Sequence, residues 1–214
     1  MDDKLKQHGL RAPSMHAGYD TLRDDLDAAV EDARTLGATF IVCPSIDAEQ
    51  RRTADDWKRV CQALNAIGRA VRRHGITLAY HNHDFEFVAF EDGMTPFQLM
   101  MRETDPAEVK LELDVYWLAK AGLDPVQGLI DSKDRVVLVH LKDRAADGST
   151  AELGAGNLAF EPIVRAALQV GVRHLFVEQD DSPDPLQSVT NSLRFLERLP
   201  PDVRPRPTHV PFPR

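Results

Sequence analysis

Short apolar runs rich in Val, Ile, Leu and Phe alternate with longer amphipathic segments, and this alternation constrains the fold more than any other feature. The runs lie near Arg11–Met15, Thr39–Cys43, Thr77–His81, Lys110–Asp114, Val136–His140 and His174–Glu178. Each has the length of a strand and is too short for a helix. Between them, Thr21–Leu36 places Leu22, Leu26, Ala29, Val30 and Ala33 on one helical face. Ala54–His74 does the same with Trp57, Val60, Cys61, Leu64, Ile67 and Val71. Shorter helical patterns cover Pro96–Arg102, Pro125–Asp131, Phe160–Gln169 and Pro185–Leu199. Gly37 and Gly75 follow two helix ends, where a left-handed residue is wanted, and lead straight into strands. Strand, helix, glycine, strand is the rhythm of right-handed βαβ units on a parallel sheet.

Six such units fill the chain to about Leu199. A closed eight-unit barrel takes about 250 residues. The expected fold is therefore α/β, of the (β/α)8 TIM-barrel type, with about six βα units and two short of closure. A doubly wound open sheet is the alternative, but no glycine-rich phosphate loop follows the first strand. The barrel domain is expected over residues 1–199. Residues 200–214, PPDVRPRPTHVPFPR, hold six of the 14 prolines. Lacking periodicity, they are expected to form a disordered tail that includes His209.

A formal charge of −8 argues against nucleic acid as a partner, because phosphate binding needs a basic surface. No apolar run approaches the length of a membrane span, and MDDKLKQHGL lacks the apolar core of a signal peptide. Cys43 and Cys61 make no disulfide framework and read as buried, reduced thiols. These features together point to the cytoplasm.

In a parallel barrel the chemistry sits at the carboxyl ends of the strands. Polar residues collect there: His16 in PSMHAGY, the run YHNHDFEF with His81, His83 and Glu86, Asp114 in LELDVYW, His140 and Lys142 in VVLVHLKD, and Glu178 in LFVEQD. Any one of them has a bland reading as a capping, hydrogen-bonded or solvated group. Three carboxylates and imidazoles facing one cavity are different, since buried unpaired charge is costly without a cation. The oxygen and nitrogen donors suit Mn²⁺, Mg²⁺, Co²⁺ or Zn²⁺ rather than a thiolate site. His8, His74 and His174 lie away from that face and read as structural.

The stretches GITLAYHNHDFEF, LELDVYWLAKAG, VVLVHLKDR, LGAGNLAFEPI and LFVEQD resemble the sugar phosphate isomerase/epimerase group of the xylose-isomerase-like barrels, from Leu10 to Leu199. That resemblance implies a divalent metal, Mn²⁺ first, held by Asp114, His140 and Glu178. The first metal-binding glutamate of the group falls on His81, which becomes a substitute ligand or base, with Glu86 as the other choice. The resemblance further implies proton abstraction next to the carbonyl of a keto-sugar. Glu178 and His81 (or Glu86) would act as base and acid, with His16, His83 and Lys142 on substrate oxygens. The HNH run resembles inosose dehydratase-like and keto-glycoside-acting members, so a lyase is the runner-up. An apurinic endonuclease is disfavoured by the acidic charge. A defective remnant, or a barrel completed by another copy, is the alternative of a different class. Two βα units that precede Arg11–Met15 in the group have no counterpart here, and KLKQHGL reads as the end of the preceding helix.

Overall fold

The computed structural model describes residues 1–204. After a short first helix, α1 (Asp2–Gln7), six strands form one parallel sheet in sequential order: β1 (Ser14–His16), β2 (Phe40–Cys43), β3 (Thr77–His81), β4 (Val109–Asp114), β5 (Val136–Leu141) and β8 (His174–Val177). An antiparallel pair, β6 (Asp143–Arg144) and β7 (Thr150–Ala151), stands apart from it. The helices between strands are α2 (Tyr19–Asp24), α3 (Leu26–Leu36), α4 (Ala54–Arg72), α5 (Pro96–Glu103), α6 (Val115–Lys120), α7 (Pro125–Asp131), α8 (Phe160–Gln169) and, last, α9 (Pro185–Glu197). The sheet curls into an incomplete barrel, as the strand count predicts.

Alternation along the strands sorts the two faces of the sheet, because successive side chains point opposite ways. Ile41, Cys43, Leu78, Tyr80, Leu111, Leu113, Val139 and Leu141 join the helices in the main core. Phe40, Val42, Ala79 and Leu138 form a separate inner cluster with Phe176. His81 lies two residues beyond Ala79 and His140 two beyond Leu138, so both continue that inner face at the carboxyl end. The inner face thus changes from apolar to polar along the strands.

Helix ends follow local chemistry. Thr53 and Asp56 form a reciprocal capping box at the start of α4, and Thr95 and Gln98 do so for α5. Gly37 takes φ 72° at the end of α3, the left-handed conformation its position demands.

Three local expectations are corrected, and one element is new. The helix read over Thr21–Leu36 is broken at Asp25, which adopts φ −143° and ψ 58°. Asp24, Asp25 and Asp27 crowd the break, and aspartate favours helix flanks over interiors. The first strand begins at Ser14 rather than Arg11, since Pro13 has no N–H for a ladder and contributes only its carbonyl, which accepts from Thr39 and Phe40. The β6–β7 hairpin, unforeseen, turns at Asp147-Gly148. The segment expected to be disordered from residue 200 is ordered at its start. Val203 is buried and Arg204 donates its N–H to the Pro200 carbonyl. Residues 205–214, His209 among them, lie outside the described residues.

Candidate metal and active site

Each strand-end residue is delivered by its own strand. His16 closes β1, His81 closes β3, Asp114 closes β4, His140 stands next to the end of β5, Lys142 follows that strand, and Glu178 follows β8. Parallel register brings Asp114 opposite His140 and His81 opposite Glu112.

Asp114 is fully buried and divides its carboxylate between two tasks. Oδ1 caps α6, accepting the N–H of Tyr116 at 2.8 Å and of Trp117 at 3.3 Å. Oδ2 has no hydrogen-bond partner and lies 3.4 Å from Lys142 Nζ and 4.0 Å from His81 Nε2. Burial raises its pKa against the lowering effect of Lys142. His140 Nδ1 meets Glu178 Oε2 at 2.7 Å, and Lys142 Nζ approaches the same oxygen at 2.8 Å and Asp180 Oδ1 at 2.9 Å. Burial pushes His140 down, but hydrogen bonds to Glu112 and Glu178 prevail and raise it to about 10. Burial would raise Glu178, yet His140 and Lys142 hold it well below the usual carboxylate range. Donor atoms of Asp114, His140 and Glu178 all lie within 4.8 Å of one another.

Glu112 was not anticipated. It is wholly buried on the inner face of β4, and its Oε2 is hydrogen-bonded to His16 Nε2 at 2.7 Å and lies 3.1 Å from His140 Nε2 and 3.4 Å from His81 Nδ1. These imidazoles outweigh burial and depress its pKa strongly. Period-two reading of Leu-Glu-Leu-Asp contains the signal, since residues two apart share a face and Glu112 must therefore accompany Asp114. Asn82 was also missed: its Oδ1 accepts the Asp114 N–H at 3.0 Å and fixes the strand end.

Glu86 does not join this cluster. Its carboxylate is buried against the loop, with Tyr80 Oη donating to Oε1 at 2.6 Å and the His83 N–H donating to Oε2 at 2.8 Å. Burial lifts its pKa to about 7. His83 packs between Phe85 and Trp117, and burial lowers it to about 4, so it stays neutral near pH 7. Asp143 builds the floor of the LGAGN loop by accepting N–H groups from Gly154, Gly156 and Leu158. A Cβ on Gly156 would collide with that carboxylate, which explains the glycine. Both cysteines are free and buried, and burial pushes their thiols up to about 12.

The whole domain from residue 2 to residue 199 matches the model of the xylose isomerase-like TIM barrel. The chain belongs to that family. A sugar phosphate isomerase/epimerase from Parabacteroides distasonis has the same fold, with a TM-score of 0.80 and 27% identity over 93% of this chain and 80% of its own. The fold is also that of 3-keto-D-glucoside 4-epimerase from E. coli, at TM-score 0.69 and 19% identity, covering 92% of this chain and 82% of that one. Inosose dehydratase from Salmonella typhimurium is 26% identical over 196 residues, which cover 80% of this chain and 64% of that protein. The chain thus spans less than two thirds of the length of this curated relative. Relatives in this barrel family act on sugars as isomerases, epimerases or dehydratases. No described helix is long and apolar enough to cross a membrane.

The cluster suits a divalent metal. Asp114 Oδ2, Glu112 Oε1 and His81 Nδ1 are buried without hydrogen-bond partners, and stranded donors of this kind are what a cation would satisfy. Carboxylate and imidazole together match hard or borderline divalent ions.

Proposed function

We propose that this protein is a divalent-metal-dependent isomerase or epimerase that removes a proton next to the carbonyl of a keto-sugar or sugar phosphate. The observation that carries this reading is the convergence of Asp114, His140 and Glu178, with His81 beside them, at the carboxyl end of a barrel sheet. In this reading Asp114, His140 and Glu178 hold the ion, with Mn²⁺ the first choice, and His81 stands beside it for proton transfer. A bound divalent ion would polarise a carbonyl oxygen and contribute several kcal/mol of charge stabilisation.

The chain's own residues account for the proton movements. Glu178 is kept ionised by His140 and Lys142, and its side chain is about a third exposed, so it is free to take a proton from the carbon next to the carbonyl. His81 is the acid that returns one. Delivery to the opposite face of that carbon gives an epimer, and delivery to the adjacent carbon gives an isomer. Glu86 is the weaker choice for this role, because both its oxygens are already engaged. Lys142 and His16 would hold substrate oxygens, with His83 and the Trp117 ring forming an apolar wall.

A lyase is the second reading, favoured by His81 and by the dehydratase relatives. There the same proton leaves, a hydroxyl on the next carbon departs with a proton from His81, and water is the product.

The test is solvent deuterium exchange, followed by NMR, with a ketohexose, a 3-keto-glucoside and an inosose, each with Mn²⁺. Exchange next to the carbonyl should occur with at least one and fall by about 10²–10⁴-fold in Glu178→Gln and His81→Gln. Product analysis separates epimer, isomer and dehydrated ketone. Absence of exchange with all three, or full exchange in both variants, would sink the proposal.

A further inference from the structure

We infer that the mouth binds a second divalent cation, held by His16, His81, Glu112 and His140, on the other side of the His81 and His140 rings from Asp114 and Glu178. The inference does not depend on the keto-sugar reading.

It begins with an imbalance at Glu112. Three imidazole nitrogens, from three different strands, crowd one carboxylate oxygen at 2.7, 3.1 and 3.4 Å. Only His16 Nε2 is in a hydrogen bond to that oxygen, so the His81 nitrogen is held close to a carboxylate without pairing with it. Its sister oxygen Oε1 is buried with no partner, and His81 Nδ1, in the same cluster, also makes no hydrogen bond. A purely structural network would spread these donors over both oxygens. Nitrogens converging on one buried point, with a carboxylate beside them, form the arrangement of a ligand set.

The second observation is the orientation of two rings. His81 turns Nδ1 toward Glu112 and Nε2 toward Asp114, at 3.4 and 4.0 Å. His140 turns Nε2 toward Glu112 and Nδ1 toward Glu178, at 3.1 and 2.7 Å. The two imidazoles therefore form a partition between two donor groups, each with its own carboxylate. Donor atoms of the four-residue group all lie within 4.8 Å of one another. Tetrahedral bonds of about 2.1 Å set ligand atoms roughly 3.4 Å apart, so small side-chain shifts suffice to close on an ion.

A neutral imidazole has one lone pair, so His81 and His140 each serve one ion at a time unless they lose their last proton. With both ions bound, His81 would serve the inner ion beside His16 and Glu112, and His140 the outer ion beside Asp114 and Glu178, which leaves each ion three protein ligands, the number found in open catalytic sites. The two groups also differ in taste. Three imidazoles and one carboxylate favour Zn²⁺ or Co²⁺, whereas the oxygen-rich Asp114 and Glu178 side is better suited to Mn²⁺ or Mg²⁺.

The experiment strips the full chain with a chelator, dialyses it against Zn²⁺ and counts bound metal per chain by elemental analysis, with circular dichroism as the folding check. Wild type should hold two ions. His16→Asn should hold one, and so should the isosteric Glu112→Gln; His16 stands on an outer strand with its side chain 38% exposed, so its replacement spares the core. Asp114→Asn should also hold one, having lost the other ion. A single wild-type ion that survives in His16→Asn and Glu112→Gln but not in Asp114→Asn overturns this inference and leaves the proposed function standing. Two ions retained in both inner variants overturn it as well, by placing the second ion elsewhere. An ion that disappears with His16 or Glu112 but is indifferent to Asp114 upholds the inner site and counts against the functional reading.

Discussion

Strands β3, β4 and β5 are paired on both sides and almost wholly buried, whereas β1 and β8 each have one partner among the described residues. The difference runs through the site. His81, Glu112, Asp114 and His140 come from the centre and are buried, while His16 and Glu178, from the outer strands, keep side-chain exposures of 38% and 34%. Carboxylates that are costly to bury are thus placed where ladders on both sides fix the backbone, and the more accessible groups come from the margins. The centre is held from both sides, and the edges stay open to solvent.

This contrast can be broken by mutation. Leu111, on β4, is fully buried, whereas Leu175, on β8, is only partly so. Leu111→Ala should cost about 2–5 kcal/mol, the range for a core leucine, and Leu175→Ala about half as much. Urea denaturation measures both. Equal losses would mean that β8 is as well packed as the centre.

A smaller effect is expected at the margin itself. Leu186, Val189 and Leu193 lie on one face of α9 and are 83%, 63% and 55% exposed. They make an apolar stripe along the helix, and Val177 on the outer strand β8 is 39% exposed as well. Light scattering should find concentration-dependent self-association. The double change Val189→Lys with Leu193→Lys should suppress it while shifting stability by no more than about 0.5 kcal/mol. A wild type that stays single at high concentration would show that the outer strands need no cover.

The strand-helix rhythm made the sheet legible from the amino-acid sequence, because period two and period 3.6 are written in side-chain polarity. Asp114, His140 and Glu178 were legible for the same reason, each standing where an apolar run stops. Glu112 was not, since it sits inside the run and its meaning depends on pairing with β3 and β5, a nonlocal fact. The place of Glu86 was equally hidden. Its neighbours in sequence suggested the cavity, but a 3-10 turn over Phe85–Phe87 directs its carboxylate to Tyr80 instead. The broken helix at Asp25 reflects a balance of local preferences that a hydrophobic pattern does not record.

The central claim is that the strand ends bind a divalent cation through Asp114, His140 and Glu178. Calorimetric titration of the chelator-stripped chain with Mn²⁺ tests it most directly. The account predicts saturable, tight binding by the wild type and its loss in both Asp114→Ala and His140→Ala. Mn²⁺ affinity unchanged in the two variants would contradict it.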